Sequence, residues 1–92
     1  MTMRLEYDPD KNRRNIARRG LPFDWVKEMD ADSILYFPDD RRNYGEPRFR
    51  AFGLLEGRLH VFVFTPRSDA VRIISFRKCN PKEMRWYEEE IA

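Results

Sequence analysis

The sequence predicts an α+β fold: an antiparallel sheet of about four to five strands, two N-terminal helices packed on it and a C-terminal helix. Three observations carry this. Four short stretches rich in β-branched and aromatic residues follow one another between Ile34 and Arg77, separated by turn residues. Helix-start signals stand at Asp8-Pro9 and again at Asn80-Pro81. With 92 residues there is room for one core, so residues 1–92 are read as a single domain.

Taken in order, "RLEY" reads as a short first strand. Asp8 then caps a helix over residues 9–19, with Pro9 in its first turn and Gly20 as its left-handed stop. A second helix is expected from Pro22, where Phe23, Val26 and Met29, with Trp25 beside them, form an apolar stripe that "DADS" ends. "ILYF" is a strand closed by Pro38 and the polar loop "DDRRNYGEP". Strands over 48–55, 58–65 and 71–77 follow, the first two joined by the tight turn Glu56-Gly57 and the last two by "PRSD". The last helix opens at Asn80 with Glu83 three residues on, a capping-box spacing, and carries Met84, Trp86, Tyr87 and Ile91. Short connections between successive strands favour an antiparallel meander.

Seven Phe, four Tyr and two Trp supply bulk for a core despite 37% charged residues, which argues against disorder. A lone cysteine, Cys79, forms no internal disulfide, and a lone histidine, His60, gives no Cys/His metal cluster; no cofactor is expected, and a reducing cytoplasm is the expected setting. No apolar run approaches the roughly 20 residues that span a bilayer, so no membrane contact is expected.

The net charge is +2, but it is unevenly spread. Residues 47–78 hold seven Lys/Arg against two Asp/Glu, 7 − 2 = +5, whereas residues 21–46 give 3 − 7 = −4. The sheet is thus the basic part. Nearly all its cations are arginine, whose planar fork suits phosphate or carboxylate, so a polyanion or an acidic protein surface is the natural partner.

Strict alternation along 71–78 puts Arg72, Ile74, Phe76 and Lys78 on one face and Val71, Ile73, Ser75 and Arg77 on the other. A buried guanidinium is costly unless it meets water, an acid or an anion. One reading lets these arginines snorkel at strand ends and pair with Glu83 or Glu88. The functional reading rests on convergence: Arg48 and Arg50 open one strand, Arg67 ends the next and Arg72 begins the third, so guanidinium groups are expected to gather around a phosphate. On this reading Arg67, Arg72 and Arg77 concentrate at one end of adjacent strands and hold the anionic substrate, with Arg48, Arg50, Ser75 and Lys78 binding around them.

The segments "YDPDKNRRNIARRG", "RFRAFG", "VFVFTPR", "VRIISFRK" and "KEMRWYEEE", in that order, make the chain resemble the BrnT toxins of the BrnT–BrnA type II toxin–antitoxin systems, over roughly Leu5 to Glu89. The resemblance implies a RelE-like α+β fold and a ribonuclease that arrests translation. It also implies neutralisation by a BrnA-like antitoxin with a ribbon-helix-helix-type DNA-binding domain, so that DNA is reached only through the antitoxin. It picks out Arg48, Gly53, Thr65, Arg67, Arg72, Ser75, Arg77, Glu83 and Tyr87. Phe76 departs from the family pattern, which has a small alanine there, and a bulkier floor to the pocket is expected. His60 also departs, standing where an aliphatic residue is common.

Metal-independent RNA cleavage, by attack of the 2′-hydroxyl on the adjacent phosphate, needs cations around the phosphorane and proton transfer at two oxygens. Arginine meets the first need but stays protonated at ordinary pH. His60, Tyr87 and Glu83 are therefore the candidate proton carriers beside Arg67, Arg72 and Arg77. Cys79, with no histidine near it in sequence, is not expected to act as a nucleophile. A rival class treats the basic sheet as a non-catalytic module that binds an acidic partner or nucleic acid; arginines converging from three strands count against the first, and the lack of a base-reading helix or RRM signature against the second. Whether the chain assembles with itself or with other chains is left open.

Overall fold

The computed structural model describes residues 4–92. In chain order these form strand β1 (Arg4–Glu6), helix α1 (Pro9–Arg19), 3₁₀ turns at Phe23–Glu28 and Ala31–Ser33, strands β2 (Leu35–Pro38), β3 (Phe49–Leu55), β4 (Arg58–Pro66) and β5 (Ala70–Lys78), and helix α2 (Pro81–Ile91). The strands make one five-stranded sheet in the order β1-β5-β4-β3-β2. The expected α+β layout and the meander from β2 to β5 are present. The sheet is mixed rather than antiparallel, because β1 lies parallel to β5, with Arg4 opposite Ala70 and Glu6 opposite Arg72. Without β1 that side of β5 would be an open edge of unpaired backbone groups. Since β1 and β2 occupy opposite edges, α1 and the 3₁₀ turns must carry the chain across one face of the sheet.

Helix α1 starts and stops where its caps require. The Asp8 side chain accepts from the Asp10 amide at 2.9 Å, and Gly20 adopts φ 68°, the left-handed conformation that glycine enters without steric cost. Among the described residues β1 pairs with residues 70–72 of β5. Further along, α1 covers the edge instead: buried Asn15 donates to the carbonyls of Phe76 at 3.0 Å and Leu21 at 2.8 Å. A polar residue buried in a helix thus satisfies strand backbone that has no strand partner.

The expected second helix is a 3₁₀ segment, with the Trp25 amide bonded to the Pro22 carbonyl at 3.0 Å. Squeezed between Pro22 and Asp30, it is too short to make nucleation of an α-helix favourable. Its apolar residues also recur every three positions, and a repeat of 3.0 residues per turn puts Phe23, Val26 and Met29 on one line facing the sheet.

A bulge interrupts β5. Val63 of β4 pairs with Ser75 and Phe64 with Ile73, which leaves Ile74 without a counterpart. The extra residue reverses the alternation beyond it. Ile73 and Phe76, which strict alternation would separate, therefore enter the same core. Ser75 and Arg77 turn to the opposite face, the one that Arg72 already occupied; this corrects the grouping of Ser75 and Arg77 with Val71 and Ile73.

Two cores result. On the α1 face Phe23, Val26, Met29, Ala51, Phe62, Ile73 and Phe76 pack together. Phe76 is fully buried there and does not floor a pocket, contrary to the expectation from its size. On the other face α2 places Tyr87 and Trp86 against Phe52, Leu59, Val61 and Cys79. Helix α2 begins with the complete capping box, Asn80 accepting from the Glu83 amide at 2.8 Å and Glu83 from the Asn80 amide at 2.9 Å. No helix among the described residues is long and apolar enough to cross a membrane.

Candidate active site

Helix α2 covers only part of its face of the sheet. Beside it lies a cleft of about 260 Å³, floored by Val61 and Val63 and lined by four arginines, Ser75 and Glu83. Each arginine arrives from a different element: Arg19 from the end of α1, Arg41 from the β2–β3 loop, Arg50 from β3 and Arg77 from β5.

Three of the four are held by their neighbours. Arg19 donates to the Asn15 side chain at 2.9 Å. Arg41 forms a two-point contact with Asp39 at 2.7 and 2.8 Å, and the carboxylate is itself buried. The Arg41 guanidinium holds the Asp39 carboxyl down at about 2 against the opposing effect of burial, with Arg50 helping from further away. Arg77 grips Glu83 with two bonds of 2.9 Å, and this contact lowers the Glu83 pKa while raising that of Arg77. The positive charge of Arg41 reaches Arg77, and that of Arg50 reaches Glu83, as expected of groups facing one space.

Arg50 differs. Among the described residues it forms no ion pair, and its Nε is buried with no hydrogen-bond partner. An orphaned charged donor costs free energy that a bound anion nearby can recover. Four cations against Asp39 and Glu83 leave the cleft two charges positive, 4 − 2 = +2.

The structure brings together some of the residues expected at the site and separates others. Arg50, Ser75 and Arg77 meet in the cleft. Arg72 pairs in register with Thr65, five positions from Arg77, or roughly 16 Å along the strand, so Arg67, Arg72 and Arg77 do not share one end of the sheet. Arg48 and Arg67 lie at that far end, where Glu46 stands 3.2 Å from the first and 4.0 Å from the second. Arg48 also sits 4.1 Å over the Tyr44 ring.

His60 is buried on the α1 face, its Nδ1 2.8 Å from the Arg58 carbonyl and its pKa lowered mainly by burial. Tyr87 is buried under α2, its hydroxyl donating to the Ser33 carbonyl. Lys78 lies beside His60 on the α1 face. The register explains His60 and Lys78, which pair directly, and alternation turns Lys78 away from its neighbour Arg77. The Cys79 thiol is buried, which pushes its pKa up to about 12 and makes it a poor nucleophile. Arg19 and Arg41 were not expected here, and in sequence nothing but their charge marks them.

A family model described as a ribonuclease toxin, BrnT, of type II toxin–antitoxin system matches residues 7–83. No curated protein matches the chain. The matched span contains every residue that lines the cleft, from Arg19 to Glu83. The chain belongs to the BrnT family, the ribonuclease toxins of type II toxin–antitoxin systems.

Proposed function

We propose that RNA is cut in the arginine cleft by a metal-independent reaction. Arg50 and Arg77 hold the scissile phosphate and Ser75 donates to a non-bridging oxygen. The 2′-oxygen attacks phosphorus, the bond to the 5′-oxygen breaks, and the products are a 2′,3′-cyclic phosphate and a 5′-hydroxyl. As negative charge grows on the phosphorane, Arg77 shifts its hydrogen bonds from Glu83 to the phosphate oxygens. Glu83, thereby released, takes the proton of the 2′-hydroxyl, the departing 5′-oxygen takes one from water in the open cleft, and the hydroxide so formed takes the proton back from Glu83. Arg19 and Arg41, held by Asn15 and Asp39, stay in place as the charge grows, and cations fixed in advance in this way are where such sites gain much of their rate. The single observation that carries this reading is Arg50, unpaired and facing the same cleft as the Arg77–Glu83 pair.

Arg72, Arg67 and Arg48 extend the basic face and bind flanking phosphates in this scheme. The proton carriers His60 and Tyr87, and Lys78, take no part. The family assignment supports a cognate antitoxin as partner. A RelE-like relationship for the fold, a ribbon-helix-helix-type domain on a BrnA-like antitoxin, and arrest of translation in the cytoplasm complete the reading.

Purified Arg50→Ala, Arg77→Ala and Glu83→Gln proteins, checked for folding by circular dichroism, are to be assayed on RNA in the presence of a chelator. Each is expected to cut about a hundredfold or more slowly than the parent, the usual effect of removing one transition-state donor. Wild-type rates in all three folded variants, or complete loss of parent activity on chelation, would overturn the assignment.

A further inference from the structure

Arg50 and Glu83 also line a second cleft, of about 330 Å³, whose remaining walls are Phe37, Phe52, Trp86 and Lys82. The Trp86 ring is tilted against that of Phe37, with centres 5.2 Å apart, and set edge to face with that of Phe52, with centres 4.8 Å apart. Phe37 and Trp86 are only half-buried, so flat apolar surface is left open beside a phosphate site. Sequence register ties the two clefts together. Phe37 of β2 is the direct cross-strand partner of Arg50, and such partners have Cβ atoms about 5 Å apart. Lys82 and Trp86 are four residues apart on α2 and share one side of it.

The geometry points to a nucleobase subsite: the base next to the phosphate held by Arg50 leaves its stack and packs against Phe37 and Trp86. This rests on the arginine cleft being the place of cleavage. Aromatic side chains next to cations are the usual means of holding unpaired bases, and every base has a face to stack. Lys82, which can only donate, stands at the rim where a base presents ring nitrogen or carbonyl acceptors. The substrate class follows, because a paired base would first have to leave its duplex. The site takes single-stranded RNA with one base splayed outward.

Two measurements test this. In the first, the parent and Phe37→Leu proteins cut a short single-stranded RNA and versions lacking one base on either side of the cut. Phe37→Leu keeps apolar bulk while removing the ring. One abasic position is expected to lower kcat/KM of the parent about ten- to hundredfold, and to matter much less to Phe37→Leu. An abasic penalty of the same size in both proteins, or none in either, overturns the subsite. In the second, Trp25→Phe leaves Trp86 as the only tryptophan, and RNA blocked by 2′-O-methylation is titrated in. Quenching of Trp86 emission by the intact strand but not by the abasic one supports the subsite even if no cleavage is found, in which case the catalytic reading fails alone. Equal quenching by both strands overturns the subsite and leaves that reading standing.

Discussion

Asp39 organises the basic cleft by being buried. Its carboxylate is out of water, and the Arg41 guanidinium, half in solvent, satisfies both oxygens. A carboxyl held at about 2, against an ordinary value near 4, adds stability when ionised in the folded state. Because the folded pKa is the lower one, that contribution is complete above about pH 4 and is lost as the pH falls through about 2. Asp39→Asn is therefore expected to cost about 1–2 kcal/mol at pH 7, after allowance for the exposed arginine, and clearly less at pH 3. Urea unfolding of both proteins at the two pH values measures the gap; a gap independent of pH would show that the ion pair is not its source. His60 acts in the same direction for a different reason. Burial lowers its pKa, so its neutral form supports the fold above pH 6.5 and its contribution is lost as the pH falls through the lower folded value.

At the scale of elements, the 3₁₀ turns dock on β3 because Gly53 has no side chain. A Cβ built there would stand 2.7 Å from Ile34 Cγ1 and 3.1 Å from Met29 Cε, both of them part of the apolar packing. The approach is used by hydrogen bonds: the Asp30 amide reaches the Leu54 carbonyl at 2.8 Å, and Ser33 Oγ accepts from the Leu54 amide at 2.8 Å. Gly53→Ala is expected to destabilise the protein by about 1–3 kcal/mol, the usual result of overfilling a packed site. A shift in thermal midpoint measures it, and an unchanged midpoint would mean that Ile34 moves aside freely. The same region shows what could be read from sequence. Caps and turn residues fixed α1, α2 and the β3–β4 hairpin, because those signals are local. The bulge at Ile74 has no local signature, since it comes from pairing with β4 and from the fit of Phe76 into the core. The parallel pairing of β1 is likewise a matter of which edge is left open.

For the whole molecule, charge was legible and convergence was not. The excess of arginine over residues 47–78 marks a polyanion surface, and Arg50, Ser75 and Arg77 stand in the cleft. Arg19 and Arg41 join them only through the fold: one follows α1 around the edge of β5, and the other swings in on the loop anchored by Asp39. A surface assembled from distant segments has a property that no single residue reports, the number of phosphates it neutralises at once. Binding to a single strand weakens with salt in proportion to that number, log K falling against log[salt] with a slope of about −0.7 per phosphate. If RNA lies over the cleft and onward to Arg72, two to four contacts correspond to a slope of about −1.4 to −2.8. Between 50 and 200 mM salt the affinity should then fall roughly seven- to fiftyfold. Titrations of 2′-O-methylated RNA at several salt concentrations give this slope. Losing the scissile-phosphate contact in Arg50→Ala/Arg77→Ala should flatten it by about 0.7, because the two guanidinium groups hold one phosphate and leave it to its counterions. A double variant with the parental slope would put the RNA on another face, for instance against Lys78 and Arg58 on the α1 side, where the chain is also basic.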